Sequence, residues 1–307
     1  MSIVVLCMFA IISAASRGVI SVIDRYQMGY RKESALTVNF YNNLLAAIVA
    51  TVVLLSISRQ ADFRFLTTLS GWMNIFLYAL LVQGVAYGYS FVYKRLTVLD
   101  AVIVSKSSDV LIPVALFVTT GYFSWYQYSF SILSTLLVFT LGYVSLNLAK
   151  QRNQLQVQLG NMTKASLIIL PIIVFQACVS PLLVTGVSHS IYTLMAFTLF
   201  TIYIRLGISF VSLVPKYLKA STHRTPAPIS KKQVILIYGS RAFLTVLAQV
   251  TFTLATSSSE SGIAWIFLNM TSLYSVVFSH LILKEELYKS EFIILVVVTL
   301  LAIIGSL

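Results

Sequence analysis

The sequence predicts an all-α membrane protein: ten transmembrane helices arranged as two inverted five-helix repeats. Three observations predict it. Of the 307 residues, 58% are hydrophobic and only 10% are charged, with a mean hydropathy of +0.91. A soluble domain carries roughly a quarter charged residues, so this chain cannot cover its surface with charge and lipid must be its solvent. Ten apolar stretches recur along the chain, each close to the roughly 20 residues that a spanning helix needs. The spans of one half can also be laid over those of the other.

Taken in order, the stretches lie near 2–23, 34–57, 70–93, 99–120, 125–148, 166–187, 191–214, 233–256, 261–282 and 290–307. The first begins at Ile3 with no basic residue before it and is long enough to span, so it reads as a helix rather than a cleavable signal. Basic residues Arg25, Arg31 and Lys32 separate it from the second. The third contains Gly84-x-x-x-Gly88, a close-packing motif between membrane helices. Only Gly121 to Ser124 separate the fourth from the fifth, and Ser188 to Ser190 the sixth from the seventh, which forces antiparallel neighbours. Pro215 to Lys232, with Thr225-Pro226-Ala227-Pro228 among basic residues, reads as a solvated linker before the eighth. A charged stop, Leu283-Lys284-Glu285-Glu286-Leu287, divides the ninth from the tenth.

Moving residues 101–146 forward by about 163 positions places the fourth and fifth stretches over the ninth and tenth, with Ala101 on Ala264. Five spans per half is an odd number, so the halves, 1–150 and 151–307, are inverted relative to each other and form one unit. Inverted repeats are a common plan of secondary transporters, with the site near the midplane.

Lys and Arg set the orientation. Of 21, fifteen fall in connections 1–2, 3–4, 5–6, 7–8 and 9–10, and only Arg59 and Arg64 on the opposite side. The positive-inside rule places both termini outside the cytoplasm. The net charge of +12 is thus explained by topology, and with no basic face left over, nucleic-acid binding is excluded.

The other four cations, Arg17, Lys106, Arg205 and Arg241, lie inside spans, as does Asp109. Each costs at least a few kcal/mol if it faces lipid. The cations sit about 10–14 Å from the basic end of their helices, at about 1.5 Å per residue. They either snorkel to the interface or form a layer that binds phosphate or carboxylate, where Arg engages two oxygens at once. Lys106 and Asp109 share a helix face and either neutralise each other or bind substrate and a proton, Asp109 being read as the one carboxylate clearly inside a span. Tyr41, Asn42, Gln83, Tyr87, Gln176 and Asn269 complete the candidate substrate site, as amides and phenols that bond either a ligand or a neighbouring helix.

Enzyme signatures are missing. His189, His223 and His280 are too dispersed for a metal site, and no Gly-rich phosphate loop appears. Neither a catalytic residue, a metal nor a cofactor is expected. Cys7 and Cys178 lie in apolar runs and give no disulfide framework.

With ten spans, two inverted halves and the charged stop before a last helix ending Ile304-Gly305, the chain resembles the drug/metabolite transporter superfamily. Lys106-Ser107-Ser108 followed by Pro113 is similar to a segment of its nucleotide-sugar and sugar-phosphate branch, whose lysine faces the substrate cavity. Phe40-Tyr41-Asn42-Asn43 has the wording of a substrate motif of GDP-sugar transporters, there in the seventh helix and here in the second. Phe267-Leu268-Asn269-Met270 partly echoes a ninth-helix motif and lacks its lysine. The resemblance implies a carrier of a small anionic or zwitterionic metabolite working by alternating access, as a monomer or homodimer. The bacterial inner membrane is expected rather than the Golgi or ER. The rival within the fold is an EamA-type exporter of amino acids, organic cations or drugs. From another class come a membrane-embedded enzyme and a non-transporting assembly subunit.

Overall fold

The computed structural model describes residues 3–121, 124–184, 190–218, 231–256, 267–268 and 270–305. Among these residues the regular structure is helical, with no strand. The elements are α1 (Ile3–Arg25), α2 (Ala35–Ile57), α3 (Leu69–Tyr93), α4 (Val98–Lys106), α5 (Ile112–Thr120), α6 (Trp125–Gln151), α7 (Leu155–Val184), α8 (Ile191–Leu218), α9 (Lys231–Thr256), α10 (Thr271–Phe278) and α11 (Lys289–Gly305). Wide π-type turns extend α1 over Tyr26–Tyr30 and α10 over Ser279–Leu283.

Helix starts follow from capping side chains. Thr68 accepts from Gly71 N at 3.2 Å to open α3, Thr97 from Asp100 N at 3.1 Å to open α4, and Ser124 from Gln127 N at 3.4 Å to open α6. Each satisfies an amide that the first helical turn leaves without a partner. At the end of α5, Gly121 takes φ +70°, which a residue without Cβ adopts at no steric cost.

Seven helices among the described residues are long and apolar enough to cross a membrane: Cys7–Tyr30, Ala35–Ile57, Leu69–Tyr93, Trp125–Gln151, Leu155–Val179, Ile191–Pro215 and Lys232–Ala255. The protein is thus an all-α membrane protein. The other three expected spans do not meet that description. Stretch 99–120 is not one helix but two of nine residues each, α4 and α5. The interruption has two local causes. Pro113 has no amide to donate back to the preceding turn. Ser105, Ser107 and Ser108 turn their hydroxyls onto the carbonyls three residues earlier, at 3.2, 2.6 and 2.6 Å. Stretch 261–282 is described only at 267–268 and from 270 on, where the apolar helix is the short Thr271–Leu283, and α11 has 17 residues.

Outward-facing positions such as Val4, Leu55, Leu69, Val118 and Leu236 are exposed aliphatics, as a lipid-facing surface requires. Inside, α1 packs on α9 and α10, α2 on α8 and α9, α3 on α7 and α8, α4 and α5 on α7, α4 on α10, and α6 on α11. Small residues permit the closest approaches. A Cβ added at Gly18 would lie 2.8 Å from Tyr274 Cβ, and one at Gly88 would lie 2.5 Å from Ile169 Cδ1.

Candidate functional site

A cavity of about 450 Å³ opens between α1–α4 on one side and α7–α10 on the other. Helical spacing explains what lines it. From α1 come Arg17, Ser21, Asp24 and Met28, at intervals of four, three and four residues, which is one helix face. From α3 come Tyr78, Val82, Val85, Ala86, Tyr89 and Tyr93, and from α9 Arg241, Thr245, Ala248, Gln249 and Phe252. Asn39 and Asn42 of α2, Ser105 of α4, Gln176 of α7, Arg205 of α8 and Ser275 of α10 close the ring.

The three arginines are held differently. Arg241 forks onto Asp24, Nε to Oδ1 at 2.9 Å and Nη2 to Oδ2 at 3.0 Å, and its Nη1 reaches Thr245 Oγ1. Arg205 donates Nε to Gln83 Oε1 at 3.1 Å, and its terminal nitrogens have no partner among the described residues. Arg17 lies over the Phe252 ring, 4.6 Å from its centroid, and its guanidinium makes no hydrogen bond or ion pair with a described residue. Three guanidiniums against one carboxylate leave the lining with a formal charge of +2.

A buried amide network fixes Arg205 from behind. Gln83 Nε2 donates to Asn39 Oδ1 at 3.3 Å, Asn39 Nδ2 to Ser90 Oγ at 2.8 Å, and Asn43 Nδ2 to Gln83 Oε1 at 3.0 Å. Asn42 Oδ1, also buried, has no partner among the described residues, and the side chain belongs to the cavity wall. Tyr89 and Tyr93 stack with centroids 5.6 Å apart and form an aromatic flank.

Of the residues singled out from sequence, Arg17, Asn42, Gln176, Arg205 and Arg241 line this cavity. Gln83 stands just behind it. Tyr41 does not line it: it is 43% exposed and packs edge-on against Phe40 and Tyr238, because on α2 the inward face runs through Asn39, Asn42 and Asn43. Tyr87 also lies off the wall, with its hydroxyl buried and unbonded among the described residues. Lys106 pairs with Asp109, Nζ to Oδ2 at 3.1 Å, at the interruption between α4 and α5, and neither lines the cavity. Asn269 lies outside the described residues. Asp24, not Asp109, is the carboxylate that the seven spanning helices contain, since Asp109 lies at the interruption between α4 and α5. The expected helix end at 23 hid Asp24. The regular helix runs on to Arg25 before the π-turn begins, and Asp24 stands seven residues, two turns, from Arg17.

A separate chamber of about 330 Å³ lies at the end of the bundle that carries most Lys and Arg, among Arg25, Asp100, Arg152, Glu285, Glu286 and Glu291. Arg25 stands in the wall between the two. Its Nη1 donates to the carbonyl of Tyr93, a residue of the central lining, at 2.7 Å, and its Nε to Glu285 at 2.8 Å.

No family model matches the chain, and no curated protein does.

Proposed function

We propose that the protein is a secondary carrier that moves a small polar organic metabolite, anionic or zwitterionic, across a membrane by alternating access. In this reading ten passes form two inverted repeats, residues 1–150 and 151–307, and both termini lie outside the cytoplasm of a bacterial inner membrane. It works as a monomer or homodimer, is not an enzyme, and draws on a gradient or an exchanged solute. The observation that carries the reading is the +2 lining of a cavity built from both halves. A buried excess of positive charge is costly unless an anion visits it.

The pattern of packing supports the repeat. Matching the first pass to the sixth, and so on in order, α1 on α9 corresponds to α7 on α3, and α1 on α10 to α7 on α4 and α5. The contact of α2 with α9 corresponds to that of α8 with α3, while α2–α8, α6–α11 and α4–α10 correspond to themselves. A two-fold relation between halves produces this set of interfaces.

Three arginines in the wall favour an anion over the organic cations of the rival reading, because each would repel a cation in a low-dielectric chamber. The test is uptake by proteoliposomes from a panel of radiolabelled phosphate esters, carboxylates and amino acids. Neutralising Arg17 and Arg205 together to Gln is expected to reduce uptake of every responsive solute at least tenfold. Unchanged uptake contradicts the reading.

A further inference from the structure

We infer that Asp24 is a tethered counter-ion: it holds the guanidinium fork of Arg241, and an anionic solute must displace it to reach that arginine. The inference rests on the carrier reading above and adds a control on its site. Three observations combine. Both side chains line the cavity, and both are about nine-tenths buried, at 11% and 12% exposure. The pairing is two-pronged, at 2.9 and 3.0 Å, which is the geometry in which a carboxylate or phosphate of a solute would engage Arg241. Arg17 and Arg205, on the same wall, have no carboxylate partner among the described residues.

The surroundings of Asp24 give the pair its consequence. Arg241 faces it from α9, Arg205 acts on it from α8 and the Tyr93 hydroxyl from α3, while on its own helix Arg25 is turned away to Glu285. The solute therefore meets two guanidiniums already open and a third already spoken for. Asp24 belongs to the first half of the chain and Arg241 to the second, so the pair also straps the halves together across the cavity. A solute that takes Arg241 unties the strap and leaves its own charge beside that of Asp24. Like charges this close in a low-dielectric site repel, and separation of α1 from α9 relieves the repulsion. Solute binding and the rocking of the halves are thereby linked through one ion pair.

Inorganic phosphate, titrated into the purified full-length protein in lipid nanodiscs, tests this. Asp24→Asn keeps the side-chain shape, frees the fork and raises the lining charge from +2 to +3. Phosphate is expected to bind this variant at least tenfold more tightly than wild type. Adding Arg241→Gln returns the charge to +2 and should abolish the gain. If Asp24→Asn binds phosphate no better than wild type while Arg17→Gln or Arg205→Gln weakens binding, the counter-ion role is overturned and the cationic site stands. If phosphate affinity ignores all three arginines, both the role and the carrier reading fall. Should Asp24→Asn not fold, isotope-edited infrared difference spectra of wild type decide. A shift of aspartate carboxylate bands on phosphate addition supports displacement, and unmoved bands overturn it.

Discussion

Arg25 and Glu285, 260 positions apart in the chain, meet with Nε 2.8 Å from Oε1. The Glu285 carboxylate also accepts from Val98 N at 2.8 Å, Ser279 Oγ at 2.6 Å and Tyr30 OH at 3.4 Å. One buried carboxylate thus ties the end of α1, the start of α4 and the turn after α10. Since Arg25 also holds the Tyr93 carbonyl, this knot forms the partition between the central cavity and the outer chamber.

Glu285→Ala should be among the most damaging single changes outside the cavity. It strands a partly buried guanidinium and a buried amide, a loss of about 3–5 kcal/mol for a broken buried pair. The expected readout is a lower midpoint of thermal unfolding in detergent, together with faster labelling of a cysteine placed at Ser21 from the basic side of the membrane.

Glu286, the neighbouring residue, should behave oppositely. It accepts from Arg152, and that hydrogen bond, together with one to Tyr288, holds the Arg152 guanidinium above its usual pKa. The pair is largely open to solvent, 43% and 64% exposed, so water and salt screen it. Glu286→Gln is expected to leave the unfolding midpoint within error of wild type.

Three glycines form a graded series. A Cβ at Gly84 would touch only Ile172 Cγ2 at 3.7 Å, an ordinary contact. At Gly88 it would press on the movable end of Ile169, whereas at Gly18 it would meet Tyr274 Cβ and the backbone of Ser275. Alanine should be tolerated at Gly84, cost little at Gly88, and cost about 1–3 kcal/mol at Gly18, where overpacking cannot relax. Unfolding midpoints of the three variants check the order.

Lys106 and Asp109 should be coupled. Removing one charge strands the other at the interruption between α4 and α5. Lys106→Met alone is expected to destabilise more than Lys106→Met with Asp109→Leu. A double-mutant cycle should give an interaction of about 1–3 kcal/mol. The double variant should retain transport, since neither residue lines the cavity.

Much of this is legible in the sequence for a physical reason: charges inside apolar runs are expensive, so Arg17, Arg205 and Arg241 stand out from the sequence alone. What stayed hidden depended on local backbone. The first helix runs on past 23 as regular α-helix to Arg25, which keeps Asp24 on the face of Arg17, and a hydropathy window that ends at the first charged residues misses it. The interruption at Ser107 to Leu111 removed Lys106 and Asp109 from the site, although Pro113 and the serines before it carried a readable hint. Tyr41 was misplaced by its neighbours, since Asn42 beside it faces inward and adjacent helical positions point about 100° apart.

The central claim is a water-filled chamber with positive walls between the halves. With Cys7 and Cys178 replaced by serine, single cysteines at Ala248 and Gln249 should be offered two membrane-impermeant thiol reagents of similar size, one anionic and one cationic. The account predicts that both positions react, the anionic reagent at least tenfold faster, and that Arg17→Gln with Arg205→Gln erases the preference. Positions that stay unreactive, or that favour the cationic reagent, would contradict it.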